Sequence, residues 1–236
     1  MRVAVFGGSF NPVHLDHVEM ACYIRDQLNI DRFLVVPNAT PPHKSTCSIS
    51  FADRVNMLKD AFSGLSGFEI STIEKDPHTK HYTFDTLTKL KELYKDDMLF
   101  FCMGMDSLIY LDKWYKGLEL IKLSNLVVTQ REGYLYTQIN EPVKKFLSEN
   151  ALLDTDRNFE PHLNNTDKNN CIILSRCFHS VSSSKIREEI EAFYKTGSDK
   201  DNCALFFDNI DSYPLCKNFL SRNTIEYIFR HSLYKQ

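Results

Sequence analysis

The sequence predicts an α/β fold, a Rossmann-like doubly wound parallel sheet with helices on both faces. Continuous apolar runs such as residues 3–6, 32–37 and 98–103 are typical of strands buried on both faces. Amphipathic helical patterns alternate with these runs, which favours parallel strands joined by helical crossovers. At 236 residues, the chain is expected to form a single domain over residues 1–236.

The predicted elements follow one another along the whole chain. Predicted strands lie at residues 3–6, 32–37, 68–73, 98–103, 125–130 and 171–175. Predicted helices lie at about residues 13–28, 50–62, 83–94, 183–194 and 223–231. Asn11-Pro12 is expected to cap the first helix and supply its first-turn proline. Two polar stretches, near residues 154–170 and 196–222, are expected to be insertions into a smaller core.

The composition of the chain indicates which partners the protein can have and in which cellular compartment it is expected. A net charge of −3 gives no basic footprint for nucleic acid, and no apolar run is long enough to span a membrane. The seven cysteines are an odd number and are scattered, so we expect them to be reduced. Four of them are predicted to be buried: Cys22, Cys102, Cys171 and Cys177. A cytoplasmic protein is expected, with the nucleus and homo-oligomer formation left open.

The first strand leads into a candidate phosphate site. Gly7 and Gly8 allow a tight turn and close approach of a ligand to the backbone. His14 and His17 are three residues apart, so both should face one side of the first helical turn. A helix N-terminus attracts anions, which favours a phosphate ligand. A plain turn with incidental histidines is the alternative, whereas a zinc site would need further ligands that the neighbouring sequence lacks.

A second candidate segment opens the helix predicted at residues 183–194. Ser182, Ser183 and Ser184 stand at its start, and Arg187 lies about one turn in. Three hydroxyls at a helix start are ordinary N-cap chemistry. Hydroxyls, unpaired N–H groups and an arginine would also bind a triphosphate.

Both segments resemble motifs of the nucleotidyltransferase superfamily. Residues 7–17, GGSFNPVHLDH, are similar to G-G-[ST]-F-[DN]-P-x-H-x-G-H, and residues 182–187 are similar to [ST]-S-[ST]-x-x-R. Asp16 departs from the pattern, because the family usually has glycine there. Since a carboxylate would repel phosphates, we predict that Asp16 points away from them and that the protein is active despite it.

The middle of the chain narrows the resemblance to the bacterial-type nicotinate mononucleotide adenylyltransferases. It extends over residues 2 to about 195, and several motifs carry it. These are Tyr82-Thr83-x-Asp85-Thr86-Leu87, Gly104-x-Asp106-Ser107-Leu108, Trp114-Tyr115 and Arg131-x-Gly133-Tyr134.

The resemblance implies roles for particular residues. The ATP phosphates would be bound by His14, His17, Lys44 and Arg187. The rest of the nucleotide would be bound by Gly7, Gly8, Ser9, Phe10, Gly104, Asp106, Ser183 and Ser184. The pyridine mononucleotide would be held by Asn38, Thr86, Trp114, Tyr115 and Arg131. Mg²⁺ would arrive with ATP, and no residue is assigned as a metal ligand. Without the resemblance, Trp114 would read as a core residue and Asp106 as a helix cap.

The implied reaction joins ATP to nicotinate mononucleotide and releases pyrophosphate. Because the attacking phosphate is already ionised, we expect catalysis by positioning and electrostatic stabilisation rather than by a general base. Two alternatives remain at this point. One is another adenylyltransferase or cytidylyltransferase of the superfamily, acting for example on phosphopantetheine. The other is a non-catalytic nucleotide-binding module, which Asp16 would favour. The choice between nicotinate and nicotinamide is left open.

Overall fold

The computed structural model describes residues 1–39, 49–154, 168–196 and 202–235. The strands are β1 (Arg2–Gly8), β2 (Arg32–Pro37), β3 (Phe68–Ile70), β4 (Met98–Gly104), β5 (Asn125–Arg131), β6 (Ala151–Leu153) and β7 (Cys171–Phe178). They form one sheet in the order β3-β2-β1-β4-β5-β7-β6, and every neighbouring pair is parallel. The chain therefore builds the sheet outwards in one direction from β1 and then in the other from β4.

Helices connect the strands and cover the sheet. They are α1 (Leu15–Gln27), α2 (Phe51–Ala61), α3 (Thr83–Leu93), α4 (Met105–Leu108), α5 (Glu141–Asn150), α6 (Ser183–Tyr194), α7 (Asn202–Asp208), α8 (Pro214–Phe219) and α9 (Arg222–Arg230). Short 3₁₀ turns span Leu111–Lys113, Gly117–Lys122, Tyr136–Gln138 and Ile210–Ser212. Four helices begin where a side-chain oxygen accepts a backbone N–H three residues on; the caps are Ser50, Asn140, Ser182 and Ser221. Among the described helices, none has the length and apolar character to cross a membrane.

Side chains alternate across the central strands and build a core on each face of the sheet. Ala4 and Phe6 of β1 face a cluster that includes Ile24 of α1, Leu58 of α2 and Ile186 of α6. The opposite face joins Val3 and Val5 to a second cluster, whose helical members include Leu87, Leu90, Val143 and Phe146 of α3 and α5. Both faces are covered, so the prediction of a doubly wound parallel sheet is confirmed.

The start of α1 differs from the prediction. His14, with an extended backbone, is the N-cap, and the helix begins at Leu15 rather than Val13. Asn11-Pro12 is a cis peptide in the preceding turn and does not cap the helix. Gly7 and Gly8 belong to β1, where they pair with Val36 and Pro37 of β2. The loop between β1 and α1 therefore starts after Gly8.

Two further stretches also differ from the sequence reading. The strand predicted at 68–73 ends at Ile70, and the expected polar insertion at 196–222 contains α7 and α8. Phe206, Cys216 and Leu220 of that stretch are buried in the core. The other predicted insertion, near 154–170, lies mostly outside the described residues. Cys102 and Cys171 are buried as predicted, whereas Cys177 is exposed near the end of β7 and Cys22 is only partly buried.

Candidate active site

A central cavity of about 170 Å³ opens at the carboxyl ends of β1 and β4, where the direction of sheet building reverses. Ligands of open parallel sheets bind in the crevice at such a switch point. The polar groups that line it come from three strand ends and from the start of α1; they are His14, Asp16, His17, Asp106, Ser107, Gln130, Arg131 and His179. Gly7 and Gly104, the last or next-to-last residues of their strands, complete its floor.

The two histidines form a stacked pair at the N-terminus of α1. Their ring centroids are 3.6 Å apart and the rings are inclined by 23°. The His14 backbone N–H donates to His17 Nδ1 at 3.2 Å, and the His17 backbone N–H donates to the His14 carbonyl at 3.0 Å. Each histidine thus fixes the other, and both line the cavity.

The histidines are uncharged in the free protein. Burial, helped by the Arg131 charge, lowers the pKa of His14 to about 3. Burial also holds the pKa of His17 well below its ordinary value, with smaller effects from His14 and Arg131. His14 Nδ1 is buried without a hydrogen-bond partner among the described residues. An anion placed beside these rings would favour their protonation, so the pair can gain charge when a phosphate arrives.

Phe10 packs edge-on against His17, one member of the pair. Its ring is buried, and its centroid lies 5.0 Å from that of His17 in an edge-on arrangement. A Cβ at Gly8 would lie 2.9 Å from the Phe10 ring, so any other residue at that position would force the ring to shift. The Phe10 side chain is therefore a packing element. Gly7 is the member of the run 7–10 that appears among the described cavity-lining residues.

Asp16 lies where the sequence analysis did not expect it. It is 7% exposed and lines the central cavity with both histidines, so the prediction that it points away is wrong. Its Oδ1 is 3.3 Å from Nδ1 of His179, while Oδ2 is buried without a partner in the described chain. Burial raises the pKa of the Asp16 carboxyl, and His179 partly offsets this shift. His179 was missed from the sequence, although its place directly after β7 was a usable signal.

Asp106 and Arg131 form an ion pair across the cavity. The Arg131 guanidinium donates to Asp106 Oδ2 at 2.8 Å and to the Val181 carbonyl at 2.5 Å. The resemblance assigned these residues to the two different substrates. Their pairing brings both groups into the same cavity and fixes the orientation of each.

The second motif, residues 182–187, is hydrogen-bonded to backbone carbonyls of the first motif, residues 7–17. Ser183 Oγ donates to the Pro12 carbonyl at 2.9 Å. Arg187 donates to the Asn11 carbonyl at 2.6 Å and to Ser184 Oγ at 3.0 Å. Residues about 175 positions apart are thereby joined beside the His14–His17 pair. The structure brings the two motifs together, as the resemblance implied.

Two residues that sequence reasoning did not assign to the site hold the first motif in place. Arg54 is fully buried and donates to the carbonyls of Ser9, at 2.8 Å, and Ala39, at 3.1 Å. The Tyr234 hydroxyl, near the C-terminus, donates to Asn11 Oδ1 at 2.7 Å. A charged residue inside an apolar helical stripe was a signal for Arg54, whereas nothing local marked Tyr234.

A smaller side cavity of about 80 Å³ adjoins the central one and shares Gly7, Phe101 and Trp114 with it. Asn38, Thr86 and Trp114, all predicted to hold the mononucleotide, line it together. Tyr115 is largely exposed, with its ring 4.7 Å from that of Tyr82. Trp114 is partly buried against Phe101 and lines both cavities, so it packs in the core, and its role in binding stays a prediction.

Glu74 also lines the side cavity, although it was not among the predicted site residues. It is 7% exposed, and its Oε1 accepts a 2.7 Å hydrogen bond from the Thr86 hydroxyl. Burial raises the pKa of its carboxyl. Lys44, predicted to bind phosphate, lies outside the described residues. In the part of the chain that is described, no group of three or more His, Cys, Asp or Glu side chains is arranged to hold a metal ion.

The parallel sheet carries two hydrogen-bonded motifs, residues 7–17 and 182–187, at the point where its strand order reverses. This is the architecture of a nucleotidyltransferase. The chain belongs to the cytidylyltransferase-like family, which matches residues 5–189. A probable nicotinate-nucleotide adenylyltransferase of Shewanella baltica (strain OS223) is 37% identical over 192 residues, covering 80% of this chain and 88% of the relative. One from Shewanella sp. (strain ANA-3) is 44% identical over 134 residues, covering 57% and 63%.

Solved structures show the same fold. The Plasmodium falciparum nicotinic acid mononucleotide adenylyltransferase, complexed with NaAD, superposes with a TM-score of 0.69 at 19% identity. The alignment covers 99% of this chain and 97% of that one. A putative nicotinate-nucleotide adenylyltransferase from Vibrio parahaemolyticus gives a TM-score of 0.57 at 16% identity, covering 100% and 96%.

Proposed function

We propose that the protein transfers the adenylyl group of ATP to nicotinate mononucleotide, giving nicotinate adenine dinucleotide and pyrophosphate in NAD biosynthesis. The observation that carries the proposal is the stacked His14–His17 pair, held beside the second motif and next to the Trp114-lined side cavity. The names of the curated relatives support this choice of substrates. A cytoplasmic location is proposed with it, supported by the buried free thiols of Cys102 and Cys171.

The reaction needs little proton chemistry. A phosphate oxygen of the mononucleotide attacks the α-phosphorus of ATP, and the bond from that phosphorus to the α–β bridging oxygen breaks. Pyrophosphate leaves with the bridging oxygen. Since the attacking oxygen is already ionised, the protein's task is to align two anions and stabilise the charge that develops on the leaving group.

The site residues suit that task. His14 and His17 would donate hydrogen bonds to the triphosphate and gain protons as negative charge approaches. Arg187 and Lys44 would add positive charge, and the start of α6 would add N–H donors. Gly104 and Asp106 would bind the adenosine side. Trp114 would stack on the pyridine, with Asn38, Thr86, Tyr115 and Arg131 around the mononucleotide.

Mg²⁺ would accompany ATP rather than reside in the protein. Mg²⁺ prefers oxygen ligands in octahedral geometry and keeps several waters. The described central cavity offers Asp16 Oδ2 as an unpartnered carboxylate oxygen, since Asp106 is paired with Arg131. One such oxygen is too few for a dedicated site, so triphosphate oxygens and water would supply most of the ligands.

An assay of pyrophosphate release with a panel of acceptors tests the function. Nicotinate mononucleotide, nicotinamide mononucleotide, phosphopantetheine and a phosphocholine-type cytidylyltransferase substrate pair would be compared. We expect ATP-dependent release with a pyridine mononucleotide and none with the other acceptors. Release only with phosphopantetheine would favour a different adenylyltransferase. Nucleotide binding without release from any acceptor would favour the non-catalytic module, which the buried Asp16 carboxylate in the cavity suggests.

A further inference from the structure

The side cavity contains a buried hydrogen-bonded pair, Glu74 and Thr86, of which the proposed function so far uses only Thr86. Glu74 lies in the connection between β3 and α3, and Thr86 lies in the first turn of α3. They are 7% and 6% exposed, and the Thr86 hydroxyl is 2.7 Å from Glu74 Oε1. Both side chains line the cavity that Trp114 and Asn38 also line. A bound pyridine substituent in this cavity would therefore meet a hydroxyl whose hydrogen bonding depends on Glu74.

Burial and neighbouring groups act in opposite directions on the ionisation of Glu74. Burial favours the neutral acid and raises the pKa of Glu74, while the Thr86 hydrogen bond and the charges of His81 and Lys89 oppose this shift. His81 lies in the same connection and Lys89 on α3. Among the described residues that line the side cavity, Glu74 is the one that titrates. Glu74 therefore ionises at a higher pH than an ordinary glutamate.

Each protonation state gives the Thr86 hydroxyl a different role. An ionised Glu74 can only accept, so it takes the hydroxyl proton and leaves Thr86 Oγ1 as an acceptor toward the cavity. A carboxamide N–H satisfies that acceptor, whereas a carboxylate is repelled. A neutral Glu74 can donate its own O–H to Thr86 Oγ1. The Thr86 proton is then free to donate to a carboxylate.

We propose that Glu74 selects between a carboxylate and a carboxamide on the pyridine ring, acting as a positioning residue through the Thr86 hydroxyl. The neutral acid favours nicotinate mononucleotide, and the ionised form favours nicotinamide mononucleotide. This inference rests on the proposed function, because it takes the side cavity as the pyridine subsite. It adds a residue and a mechanism that decide the substrate within that function.

The test measures kcat/KM for both mononucleotides from about pH 6 to about pH 9 and takes their ratio. The 5′-phosphate and the ATP site are common to both substrates, so their titrations cancel in the ratio. We expect the nicotinate-to-nicotinamide ratio to fall by at least about tenfold across the range as Glu74 ionises. A ratio that stays constant in the wild type would overturn the proposal.

Three variants test whether Glu74 selects between the two mononucleotides or only stabilises the fold. Glu74→Gln keeps the shape and can donate an amide N–H to Thr86, so the ratio should become independent of pH and stay at the wild-type low-pH value. Thr86→Val removes the hydroxyl and should also flatten the ratio. Glu69→Gln changes an exposed carboxylate on β3 and should retain the wild-type pH profile. An unchanged pH slope in Glu74→Gln would show that another group sets the ratio.

Failure of the inference can be told from failure of the proposed function. If the wild type turns over neither mononucleotide, the function itself is wrong. If it turns over at least one and the ratio behaves alike in wild type and Glu74→Gln, the function stands and the role of Glu74 is rejected. A merely structural Glu74 would lower both kcat/KM values together and leave the pH dependence of their ratio unchanged.

Discussion

At the scale of single residues, the histidine pair shows how burial prepares an anion site. His14 and His17 are stacked and uncharged, with Phe10 packed beneath them. A pair of permanent charges so close together would repel each other in the free protein. Neutral rings avoid that cost and can still donate hydrogen bonds, or bind protons, when phosphate enters. Their spacing in the sequence predicted the pair, but not the stacking.

His17→Ala should lower kcat at least tenfold while the protein stays folded. That factor corresponds to about 1.4 kcal/mol of transition-state stabilisation, modest for a contact to a developing charge. Steady-state kinetics and a melting curve would measure it. His78→Ala, at an exposed position in the connection before α3, is the matched control and should behave as wild type. Near-normal turnover of the His17 variant would remove His17 from the reaction.

Asp16 is the residue for which sequence reasoning failed, and the reason is helical register. The prediction assumed that α1 starts at Val13, but it starts at Leu15, which places Asp16 second in the helix. There its side chain reaches the mouth of the cavity instead of the outer face. An error of two residues in a helix start, about half a turn, is thus enough to misplace a side chain relative to a ligand.

Asp16→Asn should lower KM for ATP by about threefold or more, because it removes a buried negative charge from a site for an anion. It should also stabilise the protein most at high pH. The folded-state pKa of Asp16 is raised, so the carboxyl favours folding at low pH and loses that contribution as pH rises through its folded pKa. Asparagine does not ionise. The difference in melting temperature, variant minus wild type, should therefore increase between about pH 4 and about pH 8.

Asp16→Gly, which restores the family pattern, serves as the comparison for ATP binding. Glycine also removes the charge but weakens the helix by roughly 1 kcal/mol relative to alanine. Both variants should gain ATP affinity, and asparagine should retain more stability. An ATP KM that rises in both would contradict a repulsive Asp16 and would indicate that the carboxylate contacts the nucleotide favourably.

At the scale of elements, the starts of two helices could be predicted from their capping serines. Ser50 and Ser182 cap α2 and α6 close to the predicted starts. The docking of α6 onto the β1–α1 loop was beyond sequence reasoning, because the hydrogen bond from Ser183 to Pro12 joins residues 171 positions apart. Strand β6, which is three residues long and directly follows α5, was missed.

Ser183→Ala should reduce the free energy of unfolding by about 0.5–1.5 kcal/mol, the usual contribution of one hydrogen bond. It should also lower kcat/KM for ATP, because α6 would hold the first motif less firmly. Urea unfolding without ligand, followed by kinetics, measures both effects. Ser148→Ala removes a similar bond to a backbone carbonyl, within α5 and on the surface, and should change neither quantity appreciably. Equal behaviour of the two variants would show that the docking bond does not support the site.

At the scale of the whole molecule, the alternation of apolar strands and helices was sufficient to predict the parallel doubly wound sheet. Its reversal between β1 and β4 then locates the central cavity. The expected insertion at 196–222 was misread because its polar start hid the apolar residues that follow. Phe206 and Cys216 pack in the core there. Burial of those side chains depends on partners far along the chain, such as Phe193 and Ile186.

Trp114→Ala tests whether the two cavities divide the substrates between them. KM for the mononucleotide should rise by about 5- to 150-fold, corresponding to about 1–3 kcal/mol of lost stacking. KM for ATP should change much less, although the loss of packing against Phe101 should lower the melting temperature. Tyr110→Ala, an exposed aromatic change nearby, is the control. Equal increases in both KM values would assign Trp114 to the core rather than to the pyridine.

The most direct test of the central claim is to follow oxygen through the reaction. Nicotinate mononucleotide labelled with ¹⁸O in its phosphate would be incubated with unlabelled ATP and the protein, and both products analysed by mass spectrometry. Direct attack on the α-phosphorus predicts that all of the label stays in the dinucleotide and that pyrophosphate is unlabelled. Labelled pyrophosphate, or label-bearing mononucleotide recovered without any dinucleotide, would contradict adenylyl transfer in this cavity.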